Sequence, residues 1–441
     1  MKHAAPFWRT GVGAITLFLC LWCLSFSVVQ RAEGRSFSGA AERVLSRTGG
    51  VKLELYDVSA ILTRLGVETD GWQLQTFVAD QKGEHVAALL NHPQKGYRLY
   101  KDGTLLRQGA TPIRTDPVPF SFTADGHLLV ALEGTRLLLD GRELTAKGST
   151  YDFGKNQNTA VYDGSGVAFP QKSSVVYVNT KSGKKKVYGS AGGEVQLIRK
   201  TGSDLYYSVR QGDTSILYKN GQRYGKTSLA VPWGFIITHS GAVLSLAQEK
   251  DGYSVYRGQT QWIREPGKAA FLVEDGMGNI WHAGYSPIQR TIGGVSFSSN
   301  AVVLYRNRDR VTNLDLANVE MSLAFFGTHY ALRAAPGKQK SVFFSWPQEW
   351  KLLKDGELKG ESFTFSQSRR DFSGMHFALN GMVYMRNFDE AEGRWELYED
   401  GKKILQTSFC DLSAVNVNGA VVRVYGVRKG PGQLGLCSAG G

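Results

Sequence analysis

Hydrophobic and polar residues alternate in short runs along this chain, and many of these runs end at an Asp-Gly or Asn-Gly pair. The segment WELYEDGKKIL, which begins at Trp395, shows the pattern clearly. Large apolar residues alternate with charged ones up to Asp400-Gly401, and a second short run follows. Alternation with a period of two is typical of a β-strand. Asp-Gly provides the two positive φ angles of a type I′ turn, so the segment predicts two antiparallel strands joined by a tight turn.

Nearly the same phrase occurs at five places. The copies are YRLYKDGTLLRQG from Tyr97, TRLLLDGREL from Thr135, SILYKNGQRYG from Ser215, WKLLKDGELKG from Trp350 and WELYEDGKKIL from Trp395. A single Asp-Gly turn is common and carries little information. Five copies of an aromatic or apolar run before Asp/Asn-Gly indicate a structural repeat, because a catalytic motif is normally used once.

Another hairpin precedes each copy, so the repeating unit is strand, turn, strand, loop, strand, Asp/Asn-Gly turn, strand. The turns of the first hairpins fall near Gly83, Gly126, Gly202, Gly241, Gly278 and Gly381. Those of the second fall at Gly103, Gly141, Gly183, Gly221, Gly258, Asn307, Gly356 and Gly401. A four-stranded unit repeated about every 40–45 residues is typical of a β-propeller blade.

We therefore predict an all-β fold: a β-propeller of about seven or eight four-stranded blades, residues 51–441. Two smaller β-domains are the alternative. The stretch Pro117–Thr145 is short for a blade and Asp152–Tyr188 is irregular, so we expect an irregular unit to merge with its neighbour. Strands at 51–58 and 413–437 have no partners nearby. We expect them to share a blade, since such pairing closes a propeller and removes its free edges.

The N-terminus has a different composition. Lys2, His3 and Arg9 precede an uncharged apolar run at residues 11–29, and a polar linker follows at 33–50. This predicts an apolar signal or anchor helix, with residues 1–32 as the targeting segment. The run is long enough to span a bilayer, and the cleavage site at Ala32 is poor. Both a cleaved signal and an uncleaved membrane anchor remain open. Either places the rest of the chain outside the cytoplasm, in the periplasm or at the cell surface.

Cysteine use fits an exported chain. Cys20 and Cys23 lie in the apolar run, which leaves Cys410 and Cys437 as an even pair. They are candidates for a disulfide that fixes the C-terminal tail, and two unpaired buried thiols are the alternative.

Net charge points to an anionic partner. The chain carries a formal charge of +13. For an exported protein, this favours acidic envelope polymers or lipid head groups over nucleic acid. The densest basic run is Lys184, Lys185 and Lys186, at a predicted hairpin turn. It is a candidate ligand-binding site, and a solvated loop tip is the alternative.

The search for catalytic chemistry finds no complete motif. GQRYGKTS from Gly221 has one residue too few for a P-loop and follows a hairpin. No histidine pair has metal-ligand spacing, so we expect neither a metal nor a cofactor. His85, His127 and His329 recur just after first-hairpin turns and could form a ring of imidazoles around an axial channel. The alternative is a turn position that tolerates histidine.

Tryptophans offer a second class of ligand contact. Trp346 and Trp350 flank a proline in SWPQEW and are candidates for stacking on a sugar ring. The segment EDGMGNIWHAG, residues 274–284, resembles a phrase found in blades of periplasmic sensor propellers. That resemblance implies inter-blade packing for Trp281.

Across roughly residues 72–406, the Asp/Asn-Gly phrase resembles β-propeller repeat proteins of bacterial envelopes. The resemblance implies architecture, because propellers include both binding proteins and enzymes. Our leading expectation is a non-enzymatic binding or scaffold protein whose ligand is a protein partner or an acidic envelope polymer. The rival is an extracytoplasmic glycan lyase or hydrolase with an axial active site. A ligand-sensing subunit of a larger complex is a third possibility.

Overall fold

The computed structural model describes most of the chain from residue 51 to 428, together with a short strand at 43–46. The described ranges are 43–46, 51–80, 82–113, 120–123, 125–132, 136–144, 160–171, 173–189, 192–212, 214–227, 234–275, 277–292, 295–311, 316–326, 329–336, 349–354, 357–364, 375–377, 381–389, 394–406, 409–418 and 420–428. The apolar run at 11–29 lies outside them. Within these ranges, no helix has the length and apolar character needed to cross a membrane.

The described strands form nine four-stranded sheets, which we number in chain order. Sheet 1 contains β3 (Gln73–Ala79), β4 (Val86–His92), β5 (Gly96–Lys101) and β6 (Thr104–Gly109), and β1 and β2 belong to sheet 9, described below. Sheet 2 contains β7 (Phe120–Phe122), β8 (Leu128–Leu132), β9 (Arg136–Leu139) and β10 (Arg142–Glu143). Sheet 3 contains β11 (Val161–Tyr162), β12 (Gly166–Gln171), β13 (Ser174–Asn179) and β14 (Lys185–Tyr188).

The next three sheets follow the same antiparallel order. Sheet 4 contains β15 (Glu194–Thr201), β16 (Asp204–Gln211), β17 (Thr214–Lys219) and β18 (Gln222–Thr227). Sheet 5 contains β19 (Phe235–Ile237), β20 (Val243–Glu249), β21 (Gly252–Arg257) and β22 (Thr260–Pro266). Sheet 6 contains β23 (Lys268–Glu274), β24 (Ile280–Ile292), β25 (Val295–Arg306) and β26 (Asp309–Val311).

The last three sheets complete the ring. Sheet 7 contains β27 (Leu316–Phe326), β28 (His329–Pro336), β29 (Glu349–Lys354) and β30 (Glu357–Thr364). Sheet 8 contains β31 (Met375–Phe377), β32 (Val383–Asp389), β33 (Arg394–Glu399) and β34 (Lys402–Gln406). Sheet 9 combines both ends of the chain: β35 (Phe409–Asn418), β36 (Val421–Arg428), β2 (Lys52–Asp57) and β1 (Arg43–Ser46).

Sheet 9 joins the two terminal regions, as the unpartnered strands in the sequence predict. β2 pairs in parallel with β36, with Lys52 opposite Val421 and Asp57 opposite Gly426. Arg43–Ser46, which the sequence places in a linker, forms β1 on the outer side of β2. A short helix, α1 (Val58–Arg64), then leads into sheet 1. The Asp57 carboxylate accepts from the Ser59 N–H at 2.8 Å and caps its N-terminus.

Apolar side chains fill the spaces between successive sheets. Leu89 and Leu99 of sheet 1 pack with Leu128, Val130 and Leu138 of sheet 2, and all five are buried. A similar cluster joins sheet 8 to sheet 9 through buried Trp395, Leu397 and Val424. Trp281 of sheet 6 packs with Leu316 and Leu353 of sheet 7, in the inter-blade role that the resemblance implies. Sheets packed face to face in a closed ring make the fold a β-propeller.

Two sections account for the difference between nine sheets and the seven or eight blades expected. Residues 120–143 form a complete sheet even though β10 has only two residues. Residues 161–188 form another, and its third and fourth strands are joined by a longer turn with Gly183 in the left-handed region. The expected merger of an irregular unit with its neighbour therefore does not occur in the described residues.

Candidate functional site: the hairpin face

The described first and second hairpin turns of the repeated units lie on one face of the ring, which we call the hairpin face. In each antiparallel sheet, the turn joining the first and second strands lies at the same end as the turn joining the third and fourth. Ion pairs and hydrogen bonds between neighbouring sheets, described below, join these ends around the ring. The hairpin face therefore holds the predicted histidines and the Asp/Asn-Gly turns.

The Asp/Asn-Gly turns have the backbone that the sequence predicts. Asp102 and Gly103 have φ angles of 50° and 78°, and Asp140 and Gly141 have 46° and 78°. Both residues of each turn thus lie in the left-handed region, as a type I′ turn requires. A Cβ atom on Gly103 would lie 2.6 Å from the carbonyl oxygen of Leu65. Glycine is needed here both for its φ angle and for this close approach.

The aspartate or asparagine of each turn also ties the second hairpin to the second strand. Its side-chain oxygen accepts a backbone N–H near the start of that strand, at 2.8–2.9 Å. The pairs are Asp102 with Val86, Asp140 with Leu128, Asn220 with Leu205, Asn307 with Ile280 and Asp400 with Val383. The N–H of the same Asp or Asn donates back to the carbonyl of the same strand residue. This reciprocal pair explains why the phrase keeps Asp or Asn before glycine.

Lysines that precede the turns link one sheet to the next. Lys101 of sheet 1 donates from Nζ to Asp140 Oδ1 of sheet 2 at 2.8 Å, and to the Gly126 carbonyl at 2.7 Å. Lys354 of sheet 7 reaches Asp400 of sheet 8 at 2.7 Å. Both lysines are the residue directly before Asp-Gly. In the phrase Lys-Asp-Gly, the lysine therefore donates to the following sheet and the aspartate accepts a hydrogen bond within its own sheet.

Two of the three predicted histidines occupy equivalent positions and contact the turn aspartates. His85 Nδ1 lies 2.8 Å from Asp102 Oδ2, and His127 Nδ1 lies 2.5 Å from Asp140 Oδ2. His329 is the first residue of β28, and its side chain is outside the described atoms. His85 and His127 are thus each bound to a carboxylate of their own sheet, at the second hairpin.

Asp140 accepts hydrogen bonds from three different residues. Burial raises the pKa of its carboxyl, but hydrogen bonds from Leu128 N–H, Lys101 and His127 outweigh burial and hold that pKa below its usual range. The carboxylate therefore stays charged, as a contact between two sheets requires.

Further polar contacts cross other junctions of the hairpin face. Tyr162 of sheet 3 donates to Asp125 of sheet 2 at 2.7 Å. Burial and this carboxylate raise the pKa of Tyr162 to about 12, so its hydroxyl remains a donor. Lys200 of sheet 4 contacts Asp163 of sheet 3 at 2.5 Å. Across the described residues, no group of three His, Cys, Asp or Glu side chains has the geometry of a metal site.

The other candidate residues are Trp346, Trp350, Cys410, Cys437 and the lysines at 184–186. Trp350 is buried, with 4% of its surface exposed, so its ring cannot stack on a sugar. Trp346 and Cys437 lie outside the described residues, and Cys410 lies in β35 without a described side chain. The disulfide therefore stays a prediction.

Lys184, Lys185 and Lys186 lie at and just after the turn from β13 to β14, where all three are exposed. Lys186 Nζ lies 4.7 Å from the Tyr188 ring. Among the described residues, no carboxylate lies within ion-pair distance of these three lysines, unlike Lys101 or Lys354.

Sequence reasoning did not find the residues that hold the first-hairpin turns. Asp80 Oδ1 accepts from the N–H groups of Glu84 and His85. Asp275 Oδ1 accepts from those of Met277 and Asn279. The available signal was an Asp or Thr three residues before Gly83, Gly126, Gly241 and Gly278, a spacing suited to side-chain-to-backbone hydrogen bonds.

Comparisons with known proteins find similar architecture only. No protein-family model and no curated protein matches the sequence. Among solved structures, a eukaryotic initiation factor is 11% identical, with 77% of this chain and 89% of that one covered and a TM-score of 0.47. The computationally designed Ika8 protein is 12% identical, with 75% and 96% covered and a TM-score of 0.41. BamB from Moraxella catarrhalis is 11% identical, with 74% and 96% covered and a TM-score of 0.41. At these values the similarities do not bear on function, and the fold assignment rests on the chain's own sheet order.

Proposed function

We propose that this chain is an exported, non-enzymatic scaffold of the bacterial cell envelope that binds a protein partner or an acidic envelope polymer. The observation that carries the proposal is the use of polar groups on the hairpin face. His85, His127, Asp102 and Asp140, which could have formed a reaction centre, instead bind one another, neighbouring backbone and Lys101. These side chains therefore stabilise the contacts within and between sheets.

Charge and the N-terminal segment support the envelope location. The net charge of +13 includes three exposed lysines at 184–186 without carboxylate partners, so a cationic surface is available to an anionic ligand. Basic residues followed by the apolar run at 11–29 are typical of an export signal or anchor. The chain would reach the periplasm or cell surface, secreted or tethered by that segment.

The test is a cross-linked affinity purification of the tagged chain from its native envelope, analysed for proteins and glycans. A scaffold is expected to recover a protein at near-stoichiometric yield, or an intact acidic polymer, above an untagged control. Shortened glycan fragments that appear only with the active chain would contradict the proposal and indicate a lyase or hydrolase.

A further inference from the structure

The outer strand of sheet 3 has an exposed and strongly basic free edge. β14 pairs with β13 on one side, and among the described residues no strand pairs with its other side. Residues 181–187 are all exposed, and the exposed fraction of Val187 is 63%. An unpaired strand edge presents N–H and C=O groups to which another extended chain can bind.

The register shows which backbone groups point outward. The Asn179 N–H donates to the Lys184 carbonyl at 2.9 Å, and Tyr177 lies opposite Lys186. Because hydrogen-bonded and non-hydrogen-bonded pairs alternate in an antiparallel ladder, the carbonyl of Lys184 and the backbone of Lys186 face β13. The N–H and C=O groups of Lys185 and Val187 therefore face outward.

The lysine side chains lie on both sides of this edge. Successive residues of a strand point to opposite faces, so Lys184 and Lys186 share one face and Lys185 lies on the other. No acidic residue occurs between positions 164 and 193, which contain five lysines. An added strand would thus meet positive charge on both of its faces.

Two cations on other outer strands have carboxylate partners. Arg107 of β6 pairs with Glu143 at 3.3 Å, and Lys403 of β34 pairs with Glu396 at 2.7 Å. Lysines on an edge can simply prevent unwanted strand pairing. Three consecutive lysines without carboxylates favour a complementary ligand instead, because their mutual repulsion is relieved only by an anion.

We propose that β14 binds an extended acidic peptide segment of a partner protein as a fifth strand of sheet 3. Outward N–H and C=O groups at Lys185 and Val187 would hold the peptide backbone, and the lysines would pair with its Asp and Glu side chains. A peptide, unlike a polysaccharide, can satisfy both. This inference rests on the scaffold function and narrows it to a protein partner with an acidic strand.

The test measures binding of a fluorescein-labelled ten-residue peptide of Glu, Thr and Val by anisotropy. Replacing Lys184, Lys185 and Lys186 by Gln should weaken binding about tenfold or more, since three exposed ion pairs are lost. The matched control replaces the exposed Lys82, Lys250 and Lys402 by Gln, which removes the same charge elsewhere and should change affinity little.

A second pair of variants tests backbone pairing. Val187→Pro removes an outward N–H and leaves the ladder to β13 intact, so it should weaken binding about tenfold. Val187→Thr keeps the N–H and should bind like the wild type. Thermal unfolding of each variant confirms that it folds.

Three results would overturn the inference. If Val187→Pro binds the peptide with wild-type affinity, binding depends on charge alone and not on backbone pairing. Alginate binding at least as tightly as the peptide, through the same lysines, would assign the surface to a polysaccharide. Absence of peptide binding by the wild type would remove the edge as a docking site, while a partner recovered by cross-linking would still leave the scaffold function standing.

Discussion

The junction between sheets 1 and 2 and the junction between sheets 4 and 5 solve the same packing problem differently. In the first, a leucine-rich core lies beneath the ion pair of Lys101 with Asp140. In the second, the turn position equivalent to Asp140 is Gly258, whose N–H donates to Val243 in the same way. Lys219, which precedes the turn of sheet 4, therefore finds no aspartate across the junction and pairs with Asp204 of its own sheet at 2.9 Å.

The interiors of the two junctions differ as well. Ser245 lies on the same face of sheet 5 as Val243, which packs against Leu217 of sheet 4. Ser254 lies on that face too, since it is opposite Ala247. Both serine hydroxyls are buried, and neither has a hydrogen-bond partner among the described residues. A repeated fold can thus tolerate a junction that lacks both the cross-sheet ion pair and a fully apolar core, because the closed ring holds each sheet from two sides.

The largest expected effect comes from Asp140→Ala. The change leaves the Leu128 N–H, Lys101 and His127 without their acceptor, so unfolding free energy should fall by about 2–3 kcal/mol, as for hydrogen bonds to a charged group. Denaturant unfolding measures the loss. Asp140→Asn is the matched control, because Asn220 and Asn307 hold the same backbone contact in other sheets. If Asp140→Asn lowers the unfolding free energy as much as Asp140→Ala does, the hydrogen bond from the Leu128 N–H contributes nothing to stability.

At acidic pH, the difference in unfolding free energy between the wild type and Asp140→Asn should become smaller. The folded-state pKa of Asp140 is lowered from a reference value of 3.8, so its stabilising contribution is complete above that value. It is lost as pH falls from the reference value through the folded-state pKa, because the unfolded carboxyl takes up its proton first. Chemical denaturation of both proteins between pH 7 and 2 tests this. A difference that stays constant to pH 2 would contradict a charged Asp140 at the junction.

An Asn in the turn of sheet 5 tests whether the side-chain contact of the other turns can be transplanted. Gly258 has φ 62° and a Cβ there would meet no heavy atom closer than 3.4 Å, the Tyr224 hydroxyl. Gly258→Asn is strained by the positive φ angle but can accept from the Val243 N–H, so it is expected to lower stability by less than about 1 kcal/mol. Gly258→Ala has the positive φ without the hydrogen bond and should lower stability by about 1–2 kcal/mol. Equal melting shifts for Asn and Ala would rule out the transplanted contact.

The smallest change is expected from Ser245→Ala and Ser254→Ala. Removing a buried hydroxyl without a partner relieves a desolvation cost, so stability should stay the same or rise by up to about 1 kcal/mol. Differential scanning calorimetry of each single variant provides the measurement. Leu89→Ala in the other junction is the contrasting control and should cost about 2–4 kcal/mol through its cavity. A loss above 1 kcal/mol from either serine variant would show that its hydroxyl is satisfied.

The candidate site was only partly predictable. The recurrence of His85 and His127 after first-hairpin turns was visible in the sequence, but their binding to Asp102 and Asp140 was not. Those contacts join residues 17 and 13 positions apart, and they depend on how the second hairpin folds onto the second strand. The burial of Trp350 was likewise invisible, because it depends on which face of β29 meets the neighbouring sheet.

The sequence by itself determined the repeating element. Alternation with a period of two and an Asp/Asn-Gly pair are local signals, because strand direction and positive φ angles are set by adjacent residues. These signals also located the strands left over at both ends. Only the tertiary structure decided that the described strands make nine sheets and that Lys101 reaches Asp140 while Lys219 turns back to Asp204. It also decided that Lys185 and Lys186 of β14 have no carboxylate partner among the described residues. Each of these contacts depends on which side chain of the neighbouring sheet lies opposite. No single segment determines this, because the two residues of a contact come from parts of the chain that are far apart in sequence.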